Sequence, residues 1–306
     1  MSAAPILPLH HRHVTHSVST NSELIDALQS GQLDNQMRHL LTADTQSGGR
    51  GQHGRSWQSP QGNVYLSLYH PLSIPLGGIL SLIIGSQLAA MPIIQMLNDA
   101  RADNAPAIGV KWANDLGFYQ KEPDARTGLY YFQKLAGILI EPVWCARQLV
   151  GIVIGVGLNV QTTPQLTTRT AEGMSYHAIS LQDIINDLPP HSASITPPEL
   201  PELYTQIANA LTQAVAQFAA LSGDTAQTTE QAILREFAAA DVLCGKTLRI
   251  SESAQFAQQT RIGRADGIDT QGCLRLVQPD GALISLFTGR IDVIDPNADK
   301  DAHALA

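Results

Sequence analysis

The chain has 306 residues, of which 44% are hydrophobic and 15% charged, the make-up of a globular protein of about two domains. Its 19 Lys and Arg against 27 Asp and Glu give a formal net charge of −8. The clustered cations that displace counterions from duplex nucleic acid are missing, which argues against a DNA-binding module. Cys145, Cys244 and Cys273 lie too far apart for a C-x-x-C pair. They write neither a disulfide framework nor a zinc knuckle, and fit a reducing, cytoplasmic compartment.

Taken in chain order, the N-terminal stretch lacks the basic start and apolar run of a secretion signal and carries His10, His11, His13 and His16 instead. With no geometric partner set for a metal, these predict a solvated, flexible tail over 1–16. Ser19-Thr20-Asn21 precedes Glu23-Leu24-Ile25-Asp26-Ala27-Leu28, combining an N-cap, an acidic first turn and i, i+3, i+4 apolar spacing, so a helix is predicted over 21–30. Leu40 to Ala43 and Val64 to Tyr69 read as strands joined by a Gly-rich run from Ser47 to Ser56. No residue from Pro71 to Asn98 is charged. That is long enough for a bilayer, but Ser81, Ser86, Gln87, Pro92 and Gln95 interrupt it and no Lys or Arg flanks it closely, so a buried helix over 78–98 is expected and no membrane span.

A short strand from Ile108 to Trp112, a polar insertion over 120–133, and two apolar, glycine-bearing strands, Leu135 to Glu141 and Leu149 to Val160, come next. The Pro-rich stretch 186–201 reads as an irregular connection to helices over 201–221 and 228–240. Lys246 to Ile294 reads as four or five short strands with Gly-containing turns. The fold class expected is α+β: a mixed β-sheet backed by helices, with a small C-terminal β-barrel.

Four stretches carry chemistry. Gly49-Arg50-Gly51-Gln52-His53-Gly54-Arg55-Ser56 satisfies G-x-G-x-x-G and nearly a P-loop. Both of those motifs must feed a helix, whereas Pro60, Gly62 and a strand follow here. What remains is a cationic loop whose backbone N–H groups and guanidinium forks at Arg50 and Arg55 suit phosphate or carboxylate oxygens. Lys111-Trp112-Ala113-Asn114-Asp115-Leu116 places an ammonium, an amide and a carboxylate in one turn. It can bind a nucleotide with Asp115 near a divalent cation, or simply close a turn through Asn114 and Asp115. Lys134 stands at the mouth of an apolar strand, where it needs an anionic partner or snorkels to water. Between Gly151 and Val160 the glycines permit close approach of a ligand or another strand, and Asn159 must find a hydrogen-bond partner.

Taken jointly, S-T-N at 19–21, T-Q-S-G-G-R-G-x-x-G-R-S-W at 45–57, K-W-A-N-D-L at 111–116, K-L-A-G-I-L-I-E at 134–141 and G-V-G-L-N-V at 155–160 resemble the biotin protein ligase family. The similarity extends over roughly 17–295, and Arg264 to Leu274 looks like that family's small SH3-like barrel. The resemblance implies a catalytic biotin- and ATP-binding domain over 17–242, an SH3-like domain over 243–296 and flexible tails over 1–16 and 297–306. Because S-T-N begins at residue 19, it also implies the monofunctional class, without the DNA-binding winged helix of many members.

The activity implied is two-step: biotin's carboxylate attacks the α-phosphorus of Mg²⁺–ATP to give biotinyl-5′-AMP, whose acyl group passes to a lysine of a biotin carboxyl carrier protein. The resemblance assigns biotin to Ser19, Thr20, Asn21, Gln46, Arg50, Gly51, Gln52, Lys134 and Gly137. It assigns the nucleotide to Arg55, Trp57, Lys111, Asn114, Asp115 and Asn159. Lys134, Arg50 and Asp115 are the expected catalytic residues, Lys134 through its charge, and Asp115 is also the expected Mg²⁺ ligand. An apolar sheet edge offers a place for a homodimer.

Departures from the family pattern are Gln52 and His53 where Arg is common, Ala113 where Pro is usual, Val18 where an acidic residue often precedes S-T-N, and a longer insertion after Asp115. The rival within the superfamily is a lipoate–protein ligase or an octanoyltransferase with Cys145 as nucleophile. Against it stand the joint G-R-G-x-x-G-R and K-W-x-N-D-L signatures and the position of Cys145 beyond an expected turn at Glu141-Pro142.

Overall fold

The structure is a computed structural model that describes residues 8–164, 176–190, 194–253 and 258–295. Its larger sheet is assembled from β1 (Leu9–Ser17), β2 (Arg38–Gln46), β3 (Val64–Pro71), β4 (Gly109–Lys111), β5 (Asp115–Tyr119), β7 (Phe132–Cys145), β8 (Gln148–Leu158) and β9 (Tyr176–Ala178). The spatial order is β1-β2-β3-β8-β7-β5-β4, with β9 parallel to β7. It is a mixed sheet, as expected.

Strand alternation gives this sheet two different faces. Val64, Leu66 and Leu68 of β3, Ile152, Ile154, Val156 and Leu158 of β8, and Ala136 and Ile138 of β7 enter the main core. That core is closed by α2 (Ile79–Ala89), α3 (Pro92–Ala100), α5 (Leu200–Ala220) and α6 (Ala226–Ala240). Helix α2 is apolar almost all round because it is buried on nearly every side. On the opposite face α1 (Thr20–Gln29) seats Leu24 and Leu28 against Leu41, Tyr69, Val143 and Val153. It covers only one end of that face.

Four expectations are corrected. Residues 9–16 are not a tail: β1 pairs in parallel with β2 from Leu9↔Arg38 to Ser17↔Gln46. A ring nitrogen of His11 and one of His13 each lie 2.9 Å from Thr42 Oγ1. A backbone ladder at a sheet edge needs no apolar periodicity, so composition could not reveal it. Residues 1–7 and the expected C-terminal tail, 297–306, lie outside the described residues.

The uncharged helix is two helices, α2 and α3, bent by 63°, because Pro92 cannot continue α2 and instead opens α3 at its first turn. Among the described residues no single helix is long and apolar enough to cross a membrane. Strand β7 does not turn at Pro142 but continues to Cys145. Strand β5 pairs with it only as far as Gly137, so a residue lacking an N–H sits on a stretch with a neighbour on one side only. The turn falls at Ala146 and Arg147, at φ 47° and 67°. Finally, the polar insertion contains a strand, β6 (Leu129–Tyr130).

That strand belongs to the second sheet, with β10 (Thr247–Ser253), β11 (Gln258–Ile268), β12 (Leu274–Val277), β13 (Leu283–Leu286) and β14 (Arg290–Ile294) in the order β13-β12-β11-β10-β14-β6. Pairing of Tyr130 with Val293 ties the insertion to the C-terminal sheet, and Trp112 Nε1 donates to Gly272 O at 2.8 Å across the same junction. Leu248, Leu274 and Leu276 join the main core, so the two sheets share one apolar interior. A short helix, α4 (Leu181–Asn186), begins on a capping box of Ser180 and Asp183 that the sequence reading passed over.

Between α6 and β10, Asp241 bridges to Val110 of β4. Its carboxyl is pushed up to about 6 by burial, which outweighs the N–H groups of Leu243 and Cys244 that favour the ionised form. The unfolded chain ionises this group near 3.8, so the penalty is absent below about pH 4 and grows until about pH 6. Asp241→Asn keeps an acceptor for Leu243 N–H. It is expected to be about 3 kcal/mol more stable than the parent at pH 7 and nearly equal to it below pH 4, measured by urea unfolding at both.

Candidate functional site

The uncovered part of the α1 face holds a cavity of about 270 Å³. Its floor is made where strands β3, β8 and β7 run side by side. In register across them lie Tyr65–Gly157–Gly137, then Ser67–Gly155–Leu139, then Tyr69–Val153–Glu141. The glycines are required by what lies above. A Cβ at Gly157 would fall 2.5 Å from Trp57 Cε2, one at Gly137 would fall 2.9 Å from Trp57 Cζ3, and one at Gly155 would fall on the Asn21 amide. A side chain at any of the three would fill the floor.

One end of the cavity is neutral and polar. Ser19 caps α1 by accepting from Ser22 N–H, which turns Thr20 and Asn21 inward, both buried. Gln46 Oε1 accepts from Thr20 N–H at 2.9 Å and from Thr20 Oγ1 at 3.1 Å, and its Nε2 donates to Ser59 Oγ. Ser67 Oγ lies 2.7 Å from Thr20 Oγ1 and 2.5 Å from Asn21 Oδ1. Hydroxyls and amides already held in place suit a small uncharged polar group.

The other end is charged. Lys134 Nζ lies 2.7 Å from Asp115 Oδ1, 5.2 Å from the Trp57 ring centre and 5.5 Å from that of Tyr176. Lys134, Arg50 and Arg55 line the cavity against one carboxylate, Asp115. The excess of cation is local, in a chain of net charge −8. The Gly-rich loop, expected to join two strands, does so from β2 to β3 and arches over the cavity. Gly51 N–H donates to Arg55 O, Trp57 N–H donates to Gly49 O, and Arg50 bridges to Ser56.

Three polar atoms in this lining, Trp57 Nε1, Asn159 Oδ1 and Asp115 Oδ1, are buried and without a hydrogen-bond partner, the last held only by its ion pair with Lys134. Native proteins leave few such groups. Asn159 Nδ2 is satisfied, donating to Ile179 O at 3.1 Å. Asn114 Nδ2 donates to Ile138 O, so this amide fixes the turn beside Asp115.

Every expected site residue lines the cavity except Lys111. Its ammonium stands 5.0 Å from the Phe132 ring, in a spot where burial lowers its pKa, partly offset by the charges of Asp115 and Asp292. The sequence reading did not single out Tyr65, Ser67, Ser59, Glu141 or Tyr176. Ser67 and Tyr65 were readable only as the second face of a strand, and Tyr176 sits on β9 outside any motif.

Residues 14–159 match the biotin/lipoate A/B protein ligase family. The chain is 37% identical over 145 residues to the bifunctional ligase/repressor BirA of Salmonella typhimurium, covering 46% of this chain and 38% of BirA. It is 33% identical over 157 residues to the biotin–[acetyl-CoA-carboxylase] ligase of Mycobacterium tuberculosis, half of each chain. The matches therefore span half or less of these relatives' lengths. The fold is like that of the Aquifex aeolicus biotin protein ligase solved with biotin and ATP: TM-score 0.62 at 16% identity, covering 94% of this chain and 99% of that one.

If the glycine floor holds Trp57 in place, Gly157→Ala should expel the ring at a cost of about 1–3 kcal/mol. In a Trp112→Phe, Trp144→Phe background the single remaining tryptophan should become more open to acrylamide quenching. Unchanged quenching would mean that the ring does not depend on the glycine.

Proposed function

We propose that this protein is a biotin protein ligase, which activates biotin with Mg²⁺–ATP as biotinyl-5′-AMP and transfers it to a lysine of a biotin carboxyl carrier protein. The observation that carries the proposal is the division of one cavity into a neutral amide and hydroxyl end and a cationic end centred on Lys134. A neutral ureido group and a carboxylate that must meet a phosphate need that division.

In this reading Ser19, Thr20 and Asn21 receive the ureido ring, and Gln46 acts mainly by holding Thr20. Two anions must meet in the first step. Lys134, Arg50 and the loop around Gly51 and Gln52 offset their repulsion and stabilise the charge growing on the α-phosphate. Bond formation between the carboxylate oxygen and the α-phosphorus expels pyrophosphate. Gly137 leaves room for the mixed anhydride beside Lys134, and the loop shields it from water. Arg55, Trp57, Asn114 and Asn159 take the nucleotide, whereas Lys111, the cross-strand neighbour of Asp115, acts by balancing its charge. In the second step the acceptor amine attacks the acyl carbon and AMP leaves, with Asp115 orienting the amine or taking its proton.

Magnesium enters with ATP. Among the described residues no group of three or more His, Cys, Asp or Glu forms a metal cage, and Asp115 is the one carboxylate in the lining. One carboxylate plus substrate phosphates is a sufficient donor set for Mg²⁺. We further propose that residues 17–242 form the catalytic domain and 243–296 an SH3-like one, that the enzyme is cytoplasmic, and that it binds neither DNA nor membrane.

The test is ATP–pyrophosphate exchange with biotin, lipoate or octanoate added separately. Exchange with biotin alone is expected; exchange with lipoate alone, or with none, would overturn the proposal. Lys134→Gln should fold as the parent and lower the exchange rate by about 10²–10³, and an unchanged rate would remove Lys134 from the mechanism.

A further inference from the structure

Glu141 lies outside every role assigned above, yet one of its oxygens serves both ends of the site. Its Oε2 accepts from Asn21 Nδ2 at 2.9 Å and from Arg50 Nη2 at 2.7 Å. We propose that Glu141 is a positioning residue that sets the Asn21 amide and the Arg50 guanidinium together, through a single carboxylate oxygen. This deepens the ligase reading and rests on it for the substrate only.

The geometry argues as follows. Asn21 is buried, and an amide can be turned either way unless its neighbours distinguish oxygen from nitrogen. Glu141 can only accept, so it holds Nδ2 towards β7, helped by Leu139 O at 3.4 Å. Asn21 Oδ1 is thereby directed to Ser67, above the space that Gly155 leaves open. On the loop side Arg50 is exposed at 41% of its side chain while Glu141 is exposed at only 23%. The strand thus anchors the loop rather than the reverse. A guanidinium has five N–H donors, and Glu141 engages Nη2, so the rest of the fork stays available for an incoming oxyanion.

Charge explains why the residue is paired in this way. A bare carboxylate beside a site for two anions would repel both. Held against Arg50 it is neutralised, and the pair keeps the loop over the cavity before any ligand arrives. Neither shorter nor neutral side chains do the same. Asp would fall short of the loop, and Gln would keep one acceptor oxygen but lose the negative charge that holds the Arg50 guanidinium.

The experiment is Glu141→Gln, read in two ways. Without substrate, trypsin is expected to cut after Arg50 several-fold faster than in the parent, while the urea midpoint stays the same. With substrates, KM for biotin should rise about tenfold, the loss of one charge-assisted hydrogen bond, with a smaller change in kcat. Arg50→Gln, which also removes a charge from the site, should cause a larger loss, and the double variant should lose less than the sum of the two, exceeding Arg50→Gln only by the cost of releasing Asn21. Equal trypsin rates, or losses that add, would overturn the proposal. If Glu141→Gln does not fold, Arg50→Gln reports the contact from the loop side: cutting after Arg55 should accelerate, and no acceleration would overturn it. If the parent shows no exchange with biotin, the substrate reading falls, while the trypsin comparison still decides whether Glu141 holds the loop.

Discussion

A ligand can lie close against the backbone of a sheet only where side chains leave room for it, and that constraint organises this molecule. Gly137, Gly155 and Gly157 share the face of β7 and β8 that turns away from the large helices, while the residues between them are among the most buried of the chain. The same two strands thus close the core on one side and leave a floor on the other. Asn21 from α1 and Trp57 from the Gly-rich loop come down onto that floor because nothing occupies it. Helix, loop and strand supply different chemistry to one place.

Charge follows the same geometry. The ion pair of Lys134 with Asp115 sits where β7 and β5 meet, between a cationic loop and a neutral network. Lys111 lies beside Asp115 on the next strand, in surroundings that weaken its hold on a proton. Nearby carboxylates keep that buried cation in balance, and Trp112 ties the same turn to the C-terminal sheet. The small sheet is therefore not a detached appendage. Its contacts and β6 brace the turn that carries Asn114 and Asp115.

Much of this was legible in the sequence because its causes are local. The N-cap before the first helix, the β-branched and aromatic content of Val64 to Tyr69 and the glycines between Gly151 and Gly157 each state a physical requirement that the structure meets. What was misread depends on partners far along the chain. The histidine strand is held by backbone pairing with β2, and β6 by pairing with β14. Lys111 looked like a cavity residue because it begins a motif, yet its side chain is buried against the Phe132 ring instead of lining the cavity. Glu141 closed a motif and still went unassigned, because its two partners lie 120 and 91 residues away.

The claim that everything else depends on is that the glycine floor is shaped for biotin. Isothermal titration of biotin into the parent protein and into Gly155→Ala, whose Cβ would displace the Asn21 amide, tests it most directly. We predict one biotin per chain in the parent and little or none in the variant, with both proteins folded. Undiminished binding to Gly155→Ala, or binding of lipoate in place of biotin by the parent, would contradict the account.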